Sequence, residues 1–233
     1  MKVSIVIPCY NEKNTINDII EKIEKADVLG CDKEIVVIDD NSTDGSFKLL
    51  ENNLTANKIH KLIKNKKNSG KGFSLRKGIE CSTGDIILIQ DADLEYDPTD
   101  YKKLLEPIID GYADVVYGSR FLGSSRVRVL YYWHSVGNYF LTLLSNMFTN
   151  INLTDMEVCY KAFKSKILKN IKLKEDRFGF EPEITAKLSK IKSLRLYEVS
   201  VNYYGRKYSE GKKITWKDGF SAIRCIIIYN LFK

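Results

Sequence analysis

Four consecutive bulky aliphatics, Ile86 to Ile89, run straight into Gln90-Asp91-Ala92-Asp93-Leu94-Glu95. An unbroken apolar run of that length reads as a strand buried on both faces of a parallel sheet. The carboxylates then fall at the strand's carboxyl end, the edge at which open α/β sheets bind ligands. Asp91 and Asp93, two residues apart, can present oxygens to one hard cation. Mg2+ is commonly held by one or two carboxylates together with substrate phosphates, and Mn2+ favours the same oxygen ligands. A solvated acidic turn that caps the helix after Pro98 accounts for the same residues, so this stretch alone leaves both readings open.

Strand and helix patterns alternate through the first half, which predicts βαβ units and a mostly parallel sheet. Val3 to Cys9 and Glu34 to Asp40 read as buried strands, with Ile16, Ile19, Ile20 and Ile23 at helical spacing between them. The second of these strands also ends in paired carboxylates, Asp39-Asp40, followed by the turn and cap formers Asn41 to Ser46. A short helix through Phe47, Leu49 and Leu50 leads to a weaker strand near Ile59 to Ile63. Asn68-Ser69-Gly70-Lys71-Gly72 opens a helix over Phe73 to Cys81. A glycine-rich, basic helix start can cradle phosphate, which makes Lys71 a candidate, although the spacing is not that of a Walker loop and serves equally as a loop and cap. Pro98 starts the next helix, through Ile109, and the strand Ala113 to Tyr117 closes on Gly118-Ser119-Arg120.

The second half changes character. From Val129 to Thr154 there is no Asp, Glu, Lys or Arg, yet uncharged polar residues recur every three or four positions. A helix here carries a narrow polar stripe and a wide apolar arc. It covers the sheet, lies in a membrane interface, or does both; the regular stripe argues against a span, which needs about 20 predominantly apolar residues. Arg126 and Arg128 just before it suit anionic headgroups. Val158 to Phe163 reads as a strand, Glu181 starts a helix through Ile191, Leu194 to Val201 is a strand, and an apolar helix runs from Trp216 to Phe232.

The 233 residues suit one large domain, with a net charge of +7 that points to an acidic partner: a nucleotide, a nucleic acid or an anionic membrane surface. Five scattered cysteines without a C-x-x-C pair look like a reduced chain with neither a disulfide framework nor a zinc site. The N-terminus enters its first strand too quickly for a signal peptide. A cytoplasmic protein is the expectation.

Glu12 after Pro8-Cys9-Tyr10-Asn11, the Asp39-Asp40 pair, and Asp91 with Asp93 now fall at strand ends on one side of a sheet. The order Pro8-x-Tyr10-Asn11-Glu12, Asp39-Asp40-x-Ser42-x-Asp44-Gly45, Asp91-x-Asp93 resembles the family 2 inverting glycosyltransferases of the GT-A fold. Within that family the chain looks most like dolichyl- or polyprenyl-phosphate mannosyltransferases and glucosyltransferases, also in Gly118-Ser119-Arg120, Thr154-Asp155, Phe180 to Glu183, and Arg206 with Lys212. The resemblance implies an α/β, Rossmann-like fold: a mostly parallel central sheet flanked by helices, with C-terminal amphipathic helices. Residues 1–120 would form the nucleotide-sugar half, and 121–233 the acceptor half with the terminal helix.

Carried over, the resemblance implies that Pro8, Tyr10, Glu12, Ile38 and Asp40 line a nucleoside pocket. Asp91, Ala92 and Asp93 would hold Mg2+ or Mn2+ and the diphosphate; Glu95 stands where some relatives have Gln near the metal, and could either add a ligand or change the metal preference. Arg120, Arg206 and Lys212 would meet donor or acceptor phosphates, so that Asp93, Arg120 and Arg206 form the catalytic set and Lys71 joins the donor-binding residues. Arg126, Arg128, Asp155, Glu157 and Glu183 are the acceptor-side candidates. Asp155-Met156-Glu157-Val158-Cys159-Tyr160-Lys161 departs from the Asp-Leu-Thr-Gly-Ser-Phe-Arg type of pattern in dolichyl-phosphate mannose synthases. The implied partners are a GDP- or UDP-hexose, a polyprenyl phosphate and the cytoplasmic face of a membrane, and no nucleic acid. A hydroxyl acceptor would require a base, for which Asp155 or Glu157 is the candidate. Two other classes stay open: a sugar nucleotidyltransferase, which would show a Gly-rich, Arg-containing loop after the first strand, and a basic peripheral protein without chemistry.

Overall fold

The computed structural model describes residues 1–233 except Ser124, Ser125, Leu130, Tyr208, Ser209, Lys212, Ile214, Thr215 and Lys233, and for Lys217 only the backbone. Seven strands form one sheet in the order β3-β2-β1-β4-β6-β5-β7. They are β1 (Lys2–Cys9), β2 (Asp32–Asp39), β3 (Lys61–Lys64), β4 (Ile86–Ile89), β5 (Val115–Ser119), β6 (Lys161–Lys164) and β7 (Leu196–Ser200). All neighbouring pairs are parallel except those of β6, which runs antiparallel between β4 and β5. This is the α/β architecture, a mostly parallel central sheet flanked by helices, that the resemblance implies.

The apolar runs explain why β1, β2 and β4 sit at the centre. Ile5 to Ile7, Val36 to Ile38 and Ile86 to Leu88 are fully buried, as strands covered on both faces must be. Helix α1 (Ile16–Lys25) buries the four isoleucines whose spacing predicts it. Helix α3 (Lys71–Cys81) lies against β1 and β2, close enough that a side chain on Gly78 would strike Val6 and Ile38. The register sets Cys9 beside Asp39 and Val6 beside Ile89, so the segments after β1, β2 and β4 leave the sheet at one edge.

Two elements differ from the sequence reading. The predicted strand over Val158 to Phe163 is shifted to Lys161–Lys164, and Val158 to Tyr160 are buried in irregular chain. Directly after it comes α6 (Ser165–Asn170), a helix too short, with one buried residue, to leave a readable period.

Helix α5 (Tyr132–Thr149) settles the choice of face. Its buried residues are Thr142 and Ser145, from the polar stripe. The Thr142 hydroxyl accepts from the Met156 N–H at 3.2 Å, and Asn146 both donates to and accepts from the Leu153 backbone. Most of the apolar arc faces outward, with Tyr132, Trp133, Tyr139 and Met147 each more than two-thirds exposed, while Leu141 and Leu144 pack against the core. A helix that simply covered the sheet would do the reverse. Helix α8 (Trp216–Leu231) packs on α5 and on α7 (Phe180–Leu188), burying Ala222, Cys225, Ile226 and Tyr229 while exposing Trp216 and Phe220. Among the described residues, no helix is long and apolar enough to cross a membrane.

Candidate active site

Turn chemistry ties the loops after β1 and β2 into one rim. Asn11, at φ 50°, accepts from the Thr43 N–H at 2.8 Å while its own N–H donates to Ser42 Oγ at 3.0 Å. Asp44 accepts from the Lys13 N–H, and Ser46 from the Glu12 N–H. Ser42 and Asp44 of the sequence motif, with Ser46, thus hold Asn11 to Lys13 in place through backbone hydrogen bonds. Asp40 receives the N–H groups of Ser69 and Gly70 and the Asn65 amide, so it fixes the glycine-rich turn while still lining the cavity behind it. Gly70 has φ +102°, and a side chain on Gly70 or Gly72 would run into the backbone of Glu175 to Arg177. The bare backbone of this turn lets that distant segment approach.

Arg206 is the centre of the acidic rim. Its guanidinium reaches Glu12 at 3.1 Å and Asp93 at 2.6 Å, and its backbone N–H donates to Glu95 at 2.8 Å. Burial, and next the neighbouring Asp91 and Glu95 charges, push Asp93 up to about 7. Burial works against the Asp91 carboxylate, but Lys71, 3.0 Å away, together with Cys159 and Arg206, holds that pKa down. The donor set is therefore hard oxygen with more negative charge than its cations relieve, which suits a divalent Mg2+ or Mn2+. Glu95 does not complete a triad: its oxygens are taken by Tyr203 Oη at 3.0 Å and by Arg206, and among the described residues no group of three metal-ligating side chains converges.

One pH dependence follows. Asp93 binds its proton more tightly folded than at its ordinary 3.8, so the folded state carries the extra proton between about 4 and about 7. Stability then falls as pH rises through that window. Thermal melts of the metal-free protein should show this fall, and Asp93→Asn should flatten it.

A cavity of about 410 Å³ opens over these residues. Pro8, Tyr10, Glu12, Asp40, Lys71, Asp91, Ala92, Asp93, Glu95 and Arg206 line it. Ile38 does not: it is fully buried beneath α3. Lys212 lies outside the described residues. Its neighbour Lys213 reaches the cavity, bonded to the Tyr10 carbonyl and to Glu12 at 2.7 Å. Arg177 and Phe178, which the sequence did not single out, enter with the segment that Gly70 and Gly72 admit.

A second cavity, of about 510 Å³, shares Lys71, Asp91, Glu95 and Phe178 with the first. Arg120, Arg128 and Glu157 line it, with Trp133 and Trp216 as exposed aromatic residues from α5 and α8. Arg120 is held by Asp155 through Nε at 2.6 Å and Nη2 at 2.7 Å, and by Asn138 from the polar stripe of α5. The Tyr203 ring lies 5.1 Å from the same guanidinium and its hydroxyl on Glu95, linking the two cavities. Asp155 is fully buried beneath Arg120 and lines neither cavity, so it is an anchor rather than a base. Two acceptor-side candidates are displaced. Arg126 is exposed outside both cavities, and Glu183 is buried where it accepts from the Lys174 and Glu175 N–H groups and from Lys187.

Dolichol-phosphate mannosyltransferase from Pyrococcus furiosus is 34% identical over 128 residues, 55% of this chain but 36% of that protein. Undecaprenyl-phosphate 4-deoxy-4-formamido-L-arabinose transferase from Proteus mirabilis is 27% identical across 91% of this chain and 62% of its own length. The chain thus spans less than two-thirds of these two relatives, while it matches 93% of an uncharacterised protein of Methanocaldococcus jannaschii at 27% identity. In fold, glucosyl-3-phosphoglycerate synthase from Mycobacterium tuberculosis, solved with Mn2+, UDP and glucosyl-3-phosphoglycerate, superposes with a TM-score of 0.76 at 18% identity, over 98% of this chain and 80% of that one. Residues 4–172 match Glycosyl transferase family 2, and the chain belongs to that family.

Proposed function

We propose that this glycosyltransferase moves a hexose, mannose or glucose, from a GDP- or UDP-sugar to a polyprenyl phosphate at a membrane surface. The observation that carries the reading is the meeting of two cavities at Lys71 and Asp91. One is ringed by carboxylates and cations at the strand ends, and the other holds two arginines and reaches the outward aromatic residues of α5 and α8. Relatives named as dolichol-phosphate and undecaprenyl-phosphate transferases support the lipid acceptor.

Asp91 and Asp93 are the residues that would hold Mg2+ or Mn2+, which when bound supplies a Lewis acid beside the diphosphate. Arg206 and Lys213 add fixed positive charge at the first cavity, where the leaving diphosphate gains charge as its bond to the anomeric carbon breaks. A phosphate acceptor is already an anion near neutral pH, so its oxygen needs no strong base. Arg120, whose Nε and Nη2 are held by Asp155, and Arg128, paired with Glu210, bring guanidinium charge to the cavity that would take that phosphate. The outward arc of α5, with Tyr132 and Trp133, and the exposed Trp216 of α8 offer the amphipathic aromatics that seat a protein at a lipid interface.

The test is transfer itself. A radiolabelled sugar nucleotide incubated with vesicles containing polyprenyl phosphate should move label into the lipid extract. Label found only in water-soluble product would turn the reading toward a hydroxyl acceptor, and pyrophosphate released from a nucleoside triphosphate would turn it toward nucleotidyl transfer.

A further inference from the structure

The second cavity contains chemistry that the reading above leaves unused. Glu181, at the start of α7, is 4% exposed; one of its oxygens meets Lys71 at 3.2 Å and the other, Oε2, is buried without a hydrogen-bond partner among the described residues. Glu157 Oε1 is likewise buried and without a partner. Both side chains line the cavity, together with Lys71 and Asp91, the residues it shares with the donor cavity. A buried carboxylate oxygen left unmatched costs about 1–3 kcal/mol or more, so two of them in one cavity mark a place where a ligand's donors complete the protein.

The balance of charge narrows the ligand. Asp91 and Glu181 pair with the ammonium group of Lys71, and the buried Lys161, which donates to the Met156 and Val158 carbonyls, acts on Glu157 and Glu181 through its charge from behind the cavity wall. Burial, and next the Glu181 charge, push Glu157 up to about 8, so near neutral pH it keeps its proton. The inner end of the cavity is then close to neutral, and it offers acceptors plus one carboxylic O–H. That fits the hydroxyls of an uncharged sugar ring better than an ammonium or a phosphate. Direct displacement also requires the sugar to sit between the donor diphosphate and the acceptor, which is where these two cavities join.

Resting on the glycosyltransferase reading, we infer that Glu157 and Glu181 form a paired hydroxyl-binding site for the transferred sugar, and that this pair discriminates among uncharged hexoses. Glu157 is the more informative member, because it stands inside the stretch, Asp155 to Lys161, where the chain departs from the mannose-synthase pattern.

Titration calorimetry in Mn2+ buffer with UDP, UDP-glucose, GDP and GDP-mannose tests this through the ratio of nucleoside diphosphate affinity with and without the hexose. For the base that binds, Glu157→Leu should cut the hexose contribution about ten-fold and leave the affinity for the bare diphosphate unchanged. Glu157→Gln, which keeps an acceptor and a donor, should retain it within about three-fold. Should Glu157→Leu fail to fold, Glu181→Ala decides, since it too must lower the hexose contribution about ten-fold. Unchanged ratios in the variants overturn the proposal, as does a larger contribution from UDP-glucosamine than from UDP-glucose. Loss of turnover in Glu157→Gln with binding intact also overturns it, by making Glu157 a proton acceptor. If no nucleotide binds the unaltered protein, the glycosyltransferase reading itself fails, a different outcome from diphosphate binding with an indifferent hexose.

Discussion

Replacing Asp93 by asparagine is expected to lower sugar transfer about a thousand-fold, near the ~4 kcal/mol lost when one preorganised group that stabilises a transition state is removed. The substitution keeps the shape of the side chain but only one acceptor oxygen, so it can retain the bond from Arg206 or the one from the Glu95 N–H, not both. It also removes a carboxylate crowded by Asp91 and Glu95, so above pH 7 the metal-free variant should melt no lower than the parent. Initial rates at saturating donor, with melts beside them, separate the two effects. An undiminished rate would remove Asp93 from the chemistry, and a large fall in melting temperature would make it structural.

The second large effect is on stability. Asp155→Ala strands the Arg120 guanidinium in a site where Asp155 itself is fully buried. Breaking such a pair from one side costs ~3–5 kcal/mol. At roughly 2–4 °C per kcal/mol for a chain of this size, the melting temperature should fall by roughly 10 °C. Replacing both partners with apolar residues, Arg120→Met with Asp155→Leu, should recover much of that loss, because it removes two desolvated charges together. It should not recover transfer, because Arg120 lines the acceptor-side cavity. Recovery of both would make the pair purely architectural.

Local signals carried the sheet. The aliphatic runs of β1, β2 and β4 are buried in the structure over the same residues that read as strands, because parallel central strands need no alternation. The loop carboxylates were visible for the same reason: they stand directly after those runs. What joins them was not visible in any local pattern. Arg206 gathers Glu12, Asp93 and Glu95 from sequence separations of 111 to 194 residues, and Arg177 and Phe178 enter the cavity only because Gly70 and Gly72 lack side chains. Ile38 and Glu183 failed differently. Each sits next to a motif residue, but strand and helix geometry turn neighbours to opposite sides, one into the core and the other onto the Lys174 backbone. For α5 the periodicity defined two faces without saying which would dock; Asn138, Thr142 and Asn146, with specific backbone and Arg120 partners, decide it for the polar one.

The central claim is that the carboxylates and cations at the ends of β1, β2 and β4 form a metal-assisted sugar-nucleotide site. Calorimetric titration of the protein with UDP- and GDP-hexoses, in Mn2+ or Mg2+ and again in chelator, tests it most directly. The account predicts saturable one-site binding of a sugar nucleotide of one base that weakens at least ten-fold when the metal is removed. No binding of any sugar nucleotide, alongside strongly salt-dependent binding of nucleic acid, would contradict it.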